Sequence, residues 1–234
     1  MTEFDRKIVV VTGASSGIGL AAAEAFARQG ALVALFARTK ETLESIAERH
    51  GAGMLAIAGD VALPDDIERL FTEVETRFGD CDVLVNCAGM IDPKPLLTTT
   101  TEAWNRMFAV NMGGTFLAAR RALPGMVARR SGTIVNVASI SGVPGPRKFP
   151  GFASYNASKA AVIAFTEALA VETKDLGVRV NCVSPGSVDT GMWAAASGGA
   201  PAAMTAGEVA ESILFLASER SRPMNGQNLD LYGV

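Results

Sequence analysis

Short apolar runs alternate with longer helical patterns along the whole chain, and this alternation constrains the fold more than any other feature. Helical periodicity is clear in IGLAAAEAFARQG, which stops at Gly30, and in PDDIERLFTEVETRFG, which opens at Pro64. Continuous apolar strands joined by helices are typical of a parallel sheet covered on both faces. The sequence therefore predicts an α/β fold, a three-layer, doubly wound parallel sheet of about seven strands with later helices through 102–130 and 154–176. The predicted strands are KIVVVTG, ALVALFAR, GMLAIAGDV, CDVLVNCAG, GTIVNVAS, VRVNCVSPG and NLDLYGV.

The composition suits one large domain. Hydrophobic residues make up 49% of the 234 residues and charged residues 19%, which is enough apolar material for a sizeable core. The chain has no Pro/Ser/Gly-rich linker and no block of like charges that would divide it. We therefore expect a single domain over residues 1–234.

Charge and cysteine content exclude several classes of function. The net charge of −3, without a basic block, argues against binding to nucleic acid or to an anionic membrane surface. The start, MTEFDRKIVVV, predicts a strand and not a signal peptide. Cys81, Cys87 and Cys182 lack metal-binding spacing and are expected to be free, buried thiols of a cytoplasmic protein. His50 is the only histidine, so a His-based triad and a His-rich metal site are excluded, and no metal is expected.

Tyr155 and Lys159 form the most informative pair of side chains. They stand in SYNASKAAVIAFTEALAVE, whose helical periodicity places residues four apart on one face, one turn apart. Because a nearby ammonium favours the phenolate, we expect Lys159 to lower the pKa of Tyr155 and to make the phenol a proton donor and acceptor near neutral pH. The alternative is an exposed helical pair without a role.

A glycine-rich loop, TGASSGIG over residues 12–19, joins the first predicted strand to the first helix. Glycines permit a tight turn and a close approach of the backbone to a pyrophosphate, and the helix N-terminus behind them offers free N–H groups and a favourable dipole. A purely structural turn is the alternative. Ligands of doubly wound sheets bind at the carboxyl ends of the strands, where this loop is expected to lie.

The chain resembles the short-chain dehydrogenase/reductase family from Lys7 to about Leu231. The resemblance implies a Rossmann-type NAD(P)-binding domain with a seven-stranded sheet and hydride transfer linked to NAD(P)(H). Two segments depart from the family pattern, since NCAG replaces the commoner NNAG and DLYGV replaces the usual Asp-Gly-Gly ending. The motifs that carry the resemblance occur in order as TGASSGIG, GDV (Asp60, Val61), NCAG (Asn86 to Gly89), Asn111, Ser139 in NVASISG, YNASK and PGSVDT (Pro185 to Thr190).

The resemblance also implies catalytic roles. Tyr155 would be the general acid in carbonyl reduction and the base in alcohol oxidation, and Lys159 would hold the nicotinamide ribose. Ser139 would hydrogen-bond the substrate oxygen, with Ser141 as the rival hydroxyl. Asn111 would hold a water that links Lys159 to solvent, unless it only caps or kinks its helix. A developing alkoxide needs donors and a proton source, which a hydroxyl, a phenol and an ammonium provide without a metal.

The same motifs imply a set of cofactor contacts, in which Thr190 meets the nicotinamide carboxamide. The implied cofactor-binding residues are Gly13, Ser15, Ser16, Gly17, Ile18, Gly19, Arg38, Thr39, Asp60, Val61, Asn86, Ala88, Gly89, Tyr155, Lys159, Pro185, Gly186, Val188 and Thr190.

The end of the second strand favours NADP(H) over NAD(H). Ala37 occupies the position where NAD-preferring relatives carry Asp, so no carboxylate accepts from the ribose 2′-hydroxyl or repels a 2′-phosphate. Arg38 and Thr39 supply a guanidinium and a hydroxyl that suit a dianionic phosphate, to which Ser15 and Ser16 could add donors. We therefore predict NADP(H), with NAD(H) as the alternative cofactor and an exposed basic cluster as the alternative interpretation.

The substrate is constrained least. The uncharged segment MWAAASGGAPAAMTAG is short for the family's substrate-selecting lid, and we expect a mobile, partly open cover, with a disordered surface loop as the alternative. Arg147 and Lys148, beside Phe149, could meet an anionic or aromatic substrate or could merely face water. The candidate substrate contacts are Ser141, Phe149, Met192 and Trp193.

Together these features predict an NADP-dependent oxidoreductase that transfers hydride between the nicotinamide and a small-molecule carbonyl or secondary alcohol, with a ketone or 3-oxoacyl reductase as the leading candidate. An alcohol or sugar dehydrogenase working oxidatively and a non-catalytic cofactor-sensing module are the alternatives. For docking of an acyl-carrier protein the resemblance implies two basic residues, of which Arg130 matches one and Leu176 replaces the other. The broad apolar faces of the helices through 102–130 and 154–176 predict a homo-oligomer, either a dimer or a tetramer.

Overall fold

The sheet follows the predicted topology. The structure, a computed structural model, describes residues 2–145 and 148–233. Seven strands run in the order β3-β2-β1-β4-β5-β6-β7, and every neighbouring pair is parallel. The predicted doubly wound, Rossmann-type α/β fold is confirmed. The strands are β1 (Ile8–Thr12), β2 (Leu32–Ala37), β3 (Met54–Ala58), β4 (Val83–Asn86), β5 (Gly132–Val137), β6 (Val178–Pro185) and β7 (Asn228–Leu231).

Helices cover both faces of the sheet, with two apolar clusters on opposite sides. Along β1, Val9 and Val11 belong to the cluster under α1, α2 and α8, whereas Val10 belongs to the cluster under α3, α5 and α6. Successive side chains of a strand point to opposite faces, so a strand buried on both sides needs the unbroken apolar run seen in the sequence. The helices are α1 (Gly17–Arg28), α2 (Lys40–His50), α3 (Pro64–Arg77), α4 (Thr101–Phe108), α5 (Gly114–Arg129), α6 (Ala153–Thr173), α7 (Gly191–Ser197) and α8 (Ala206–Ala217).

The helix predicted through 102–130 is interrupted. Thr100 caps α4 by accepting a hydrogen bond from Ala103 N at 3.2 Å, and a π-helical turn over Ala109–Gly113 separates α4 from α5. A π-turn widens a helix by one residue and re-aims the side chains within it. Asn111 lies at its centre and is completely buried.

The C-terminal strand forms despite the unusual ending DLYGV. Residues 228–231 pair in parallel with Cys182–Pro185, and Gly186 N donates to Leu231 O at 2.8 Å. This pairing brings Tyr232, the next residue, to the carboxyl edge of the sheet.

The three cysteines are free thiols, as predicted. Cys81 and Cys182 are buried, whereas the expectation of burial is wrong for Cys87, which is only partly buried. Over residues 2–145 and 148–233, no helix combines the length and the apolarity needed to cross a bilayer.

Candidate active site

A cavity of about 390 Å³ lies along the carboxyl ends of the central strands. It crosses the point where the strand order reverses, between β1 and β4, which is where doubly wound sheets bind their ligands. The predicted cofactor residues that line it are Gly13, Ser15, Ser16, Gly17, Ile18, Gly19, Arg38, Thr39, Asp60, Val61, Ala88, Gly89, Tyr155, Lys159 and Thr190.

The glycine-rich loop is packed too tightly to accept side chains at two positions. Gly13 has a φ of +70°, and a Cβ added there would lie 2.8 Å from the backbone N and Cα of Ala88. A Cβ at Gly19 would lie 2.3 Å from Gly13 O. The hydroxyl of Thr12 accepts hydrogen bonds from Cys87 N and Ala88 N, both at 3.1 Å, and so ties β1 to the end of β4. At Gly13 and Gly19, therefore, only backbone can line the cavity.

Tyr155 and Lys159 lie one turn apart on α6, and both line the cavity. Only 9% of Tyr155 and 4% of Lys159 is exposed. The Lys159 ammonium donates to Val137 O at 2.8 Å and lies 6.0 Å from the centroid of the Tyr155 ring. A buried ammonium held by the end of β5 thus stands beside the phenol ring.

The pKa of Tyr155 departs from the predicted direction. Burial raises this pKa to about 12, and a hydrogen bond with Ser139 offsets the rise only in part. Burial has the opposite effect on Lys159, whose pKa it lowers, because burial disfavours the charged form of either group. The prediction that Lys159 lowers the pKa of Tyr155 is therefore wrong for this structure, because burial strips hydration from the phenol and the group that lowers its pKa is Ser139, not Lys159. The phenol keeps its proton at neutral pH.

Ser139 is held beside Tyr155 at the end of β5. Its hydroxyl donates to Pro185 O at 3.3 Å and accepts from Ser141 N at 3.2 Å. The hydrogen bond that lowers the Tyr155 pKa comes from Ser139 and not from Ser141. This contact favours Ser139 over Ser141 as the hydroxyl that is hydrogen-bonded to the phenol.

Asn111 lies behind the cavity and not on its surface. Its Nδ2 donates to Met90 O at 3.0 Å and to Ser158 Oγ at 2.9 Å, and its Oδ1 accepts from Met90 N at 2.8 Å. Both amide hydrogens are thus used to join the β4 end to α6. The amide oxygen and the Lys159 ammonium each lie 3.4 Å from the position a Cβ on Gly89 would occupy, so the two groups flank the same small space.

Asn86 does not reach the cavity, which contradicts its predicted cofactor contact. Because Asn86 and Asn136 are partners in the β4–β5 register, their side chains meet inside the protein. Asn86 Nδ2 donates to Asn136 Oδ1 at 2.9 Å, and Asn136 Nδ2 donates to Thr166 Oγ1 at 2.8 Å. The amide therefore belongs to a buried network that links the sheet to α6.

The far end of the cavity carries two arginines, Arg38 and Arg106, and only Arg38 was predicted from the sequence. Arg38 and Thr39 line the cavity after β2, beside Ala37, as predicted. Arg106 of α4 also lines it, and Arg106 Nη2 donates to Asp60 Oδ2 at 2.6 Å. The two residues are 46 apart in the chain, so no local pattern could have paired them.

Asp60 is held ionised by this arrangement. Partial burial raises its pKa, but hydrogen bonds from Arg106 and from Ala62 N, together with the charges of Arg106 and Arg38, outweigh burial and leave the pKa below its ordinary value. Arg106 thereby fixes a carboxylate at the end of β3.

A second cavity of about 240 Å³ adjoins the first, and Tyr155 lines both. Ser139 lines the second cavity, and so do three residues predicted to touch the cofactor, Pro185, Gly186 and Val188. Phe152 and Tyr232 line it as well and carried no sequence signal. All four candidate substrate contacts are brought together here, namely Ser141, Phe149, Met192 and Trp193.

The cover of the second cavity is a short helix and not a disordered loop. Thr190 caps α7 by accepting from Trp193 N at 3.2 Å, and the Trp193 indole donates to Ala200 O at 2.8 Å. Lys148 donates to Ser141 O at 2.8 Å and to Val143 O at 2.6 Å, so its ammonium is held by backbone. Arg147, for which a substrate contact was considered, lies outside the described residues.

Metal-binding chemistry has no candidate in the part of the chain that the structure describes. No group of three or more His, Cys, Asp or Glu there could hold a metal ion.

The chain is similar to several known proteins. The chain matches the family described as short chain dehydrogenase over residues 7–199. It is 34% identical over 240 residues to the 3-oxoacyl-[acyl-carrier-protein] reductase FabG of Escherichia coli (98% of this chain, 97% of that protein). It is 36% identical over 247 residues to the 2-(R)-hydroxypropyl-CoM dehydrogenase of Xanthobacter autotrophicus (97% and 98%).

A solved structure is also similar. It comes from Brucella melitensis 16M, is described as a ribose-5-phosphate isomerase, and shares 37% identity over 98% of this chain and 92% of that one, with a TM-score of 0.90. The isomerase description differs from the dehydrogenase and reductase names of the other relatives, and the family match over residues 7–199 agrees with the latter. The chain belongs to the short-chain dehydrogenase/reductase family, oxidoreductases that act on CH–OH and C=O groups.

Proposed function

We propose that this protein is an NADP(H)-dependent reductase of a small or medium-sized ketone, acting through one domain over residues 1–234. The observation that carries the proposal is the position of Tyr155, which lines both the dinucleotide cavity and the adjoining second cavity. A group at this junction can exchange a proton with a substrate whose carbon lies beside the nicotinamide.

The chain's own residues account for the proton side of the reaction. NADPH, when bound, would supply the hydride. Ser139 would donate a hydrogen bond to the substrate oxygen, and Tyr155 would deliver its proton as negative charge develops there. Because burial keeps the phenol protonated at neutral pH, the resting site is poised to act as an acid, which favours the reductive direction. Lys159, flanked by the Asn111 amide oxygen across Gly89, is placed to orient the ribose and to return a proton.

The preference for NADP(H) is supported by the end of β2. Arg38 and Thr39 face the cavity, and Ala37 beside them carries no carboxylate. Ser15 and Ser16 line the same cavity. A guanidinium with nearby hydroxyls suits a phosphate dianion better than a ribose hydroxyl.

A 3-oxoacyl thioester is a second candidate, favoured by the similarity to the 3-oxoacyl-[acyl-carrier-protein] reductase. The expected docking residues give it little support. Arg130 donates to Asp175 O at 2.7 Å, so its guanidinium is engaged by backbone, and the other position carries the partly exposed Leu176. We therefore place a free ketone ahead of a carrier-bound one.

Oxidation of an alcohol is the other enzymatic candidate, favoured by the similarity to the 2-(R)-hydroxypropyl-CoM dehydrogenase. It would require Tyr155 to lose its proton before the reaction, against the direction that burial imposes. A non-catalytic sensor is disfavoured because Ser139, Tyr155 and Lys159 converge at one site.

The outer helices and the free thiols support a proposed assembly and compartment. We propose a homo-oligomer, dimer or tetramer, built on the outer faces of α5 and α6, where Val171 is 77% exposed. A cytoplasmic location agrees with three unpaired thiols.

A panel of ketones, alcohols and 3-oxoacyl thioesters, assayed with NADPH or NADH and with the oxidised cofactors, tests the function. We expect ketone-dependent loss of NADPH absorbance, with a higher kcat/KM for NADPH than for NADH. A protein that binds NADPH tightly but turns over no member of the panel would contradict the enzymatic assignment.

A further inference from the structure

The second cavity carries no charge on any described residue that lines it. Its walls come from the segment after β5, the stretch before α6, the end of β6, α7 and Tyr232, which follows β7. Among the described residues, Lys148 is a cation next to this wall, and its ammonium donates to Ser141 O and Val143 O. A charged substrate group would therefore enter without a partner among these residues.

Aromatic rings form a row that leads to the reacting phenol. The Phe149 and Phe152 rings are 5.7 Å apart between centroids, and Phe152 meets Tyr155 edge-on at 6.1 Å. Phe149 is 48% exposed, whereas Tyr155 is buried, so the row runs from the surface inward. Trp193 adds an indole whose orientation is set by its hydrogen bond to Ala200 O.

We infer that the substrate is a neutral ketone that carries a compact aromatic group on the carbonyl carbon. The inference rests on the proposed function, which places the carbonyl at Tyr155. A carboxylate or phosphate in this cavity would meet hydroxyl donors but no charged partner among the described lining residues, so only part of its lost hydration would be offset. An aromatic ring would gain edge-to-face contacts with Phe149 and Phe152 beyond the burial of its surface. The volume of about 240 Å³ lies below the usual range of ligand pockets, which limits the group to roughly one ring.

Three ketones separate charge from aromaticity. Acetophenone is a neutral aryl ketone, 4-acetylbenzoate has the same ring with a carboxylate, and 2-butanone has no ring. With saturating NADPH, we expect kcat/KM for acetophenone to exceed that for each of the other two by about tenfold or more, the discrimination typical of an apolar pocket. Equal values for acetophenone and 4-acetylbenzoate would overturn the inference.

Calorimetric binding of the same ketones to the NADPH complex distinguishes this inference from the proposed function. Tighter binding of acetophenone without turnover would support the cavity assignment and refute the catalytic one. Turnover of all three ketones with similar kcat/KM would refute the cavity assignment and leave the reductase activity standing.

Phe149→Ala tests whether the preference for an aromatic ketone depends on the Phe149 ring. Loss of this ring should lower the ratio of kcat/KM for acetophenone to that for 2-butanone by about fivefold or more, within the range for a lost apolar contact. Phe78→Ala is the matched control, because Phe78 is a partly buried phenylalanine at the end of α3 that lines neither cavity. Thermal unfolding of both variants checks that each is folded. A ratio unchanged in folded Phe149→Ala, or lowered equally in Phe78→Ala, would contradict the role of the aromatic row.

Discussion

Replacing Tyr155 by Phe tests the proposed chemistry most directly, since it removes one hydroxyl and little else. The ring that meets Phe152 edge-on is kept. Ser139 keeps its hydrogen bonds with Pro185 O and Ser141 N, so no buried hydroxyl loses its last partner. We therefore expect the free energy of unfolding to change by less than about 1 kcal/mol.

The effect on rate should be far larger. A positioned general acid contributes about 10²- to 10⁴-fold to catalysis. This corresponds to a rise of about 3 to 5 kcal/mol in the activation free energy. The assay is NADPH-dependent ketone reduction at saturating cofactor, with the NADPH dissociation constant measured by fluorescence titration. We expect that constant to stay within about twofold of wild type, because the phenol is one contact among many in the cavity.

The other tyrosine provides a matched control. Tyr232→Phe removes the same hydroxyl from the same second cavity, at an exposed position. Its kcat should fall by less than about fivefold, since it is not proposed to transfer a proton. If Tyr155→Phe is folded, binds NADPH normally and keeps more than about a tenth of the wild-type kcat, the acid–base assignment is wrong.

The raised pKa of Tyr155 makes a pH prediction with a definite sign. With a pKa of about 12, the phenol is protonated through neutral pH and stays a competent acid. Alcohol oxidation needs the phenolate. At any pH below the pKa, the phenolate fraction rises about tenfold for each unit by which the pH increases. Oxidative kcat should therefore climb steadily into the alkaline range while reductive kcat stays level. An oxidative plateau beginning near neutral pH would show that the pKa is lowered after all.

Three further substitutions test the dinucleotide cavity. Arg38→Ala should raise the dissociation constant of NADPH by about tenfold or more and leave that of NADH within about twofold, because the guanidinium is proposed to meet the 2′-phosphate. Gly19→Ala places a methyl group 2.3 Å from Gly13 O, so the loop must shift; we expect a loss of about 1–3 kcal/mol in denaturant unfolding and weaker dinucleotide binding. Arg106→Gln removes the ion pair with Asp60, which is worth about 0.2–1 kcal/mol because Arg106 is 42% exposed. Since the pKa of Asp60 is lowered by folding, that stabilisation should be present at neutral pH and should vanish as the pH falls through the lowered pKa.

Each of these substitutions has a contradicting outcome. If Arg38→Ala raised the dissociation constants of NADPH and NADH by the same factor, Arg38 would not contact the 2′-phosphate. Unchanged stability and affinity in Gly19→Ala would mean that the loop has room that the structure does not show. A wild-type minus Arg106→Gln difference that is constant between neutral and acid pH would exclude the Asp60 carboxylate as its source.

Sequence patterns predicted the features that depend on residues close together in the chain. An apolar run must lie in a sheet covered on both faces, and a helical period of four residues must put Tyr155 and Lys159 on one face. A glycine that requires a positive φ, such as Gly13, can be recognised with little knowledge of its surroundings. For these reasons the parallel sheet and the glycine-rich loop could be named from the amino acids alone, whereas most of the proposed cofactor positions were implied by the family resemblance.

The remaining properties depend on atoms far apart in the chain. Strand register turned Asn86 inward onto Asn136, and folding brought Arg106 to Asp60. The pKa of Tyr155 was mispredicted in direction because sequence spacing reveals a neighbouring charge but not how much water burial removes. The order of elements and the spacing of Tyr155 and Lys159 on one helix face are thus determined by the sequence. Strand register, ion pairing and desolvation were decided only by tertiary packing, because each depends on neighbours that the linear chain does not specify.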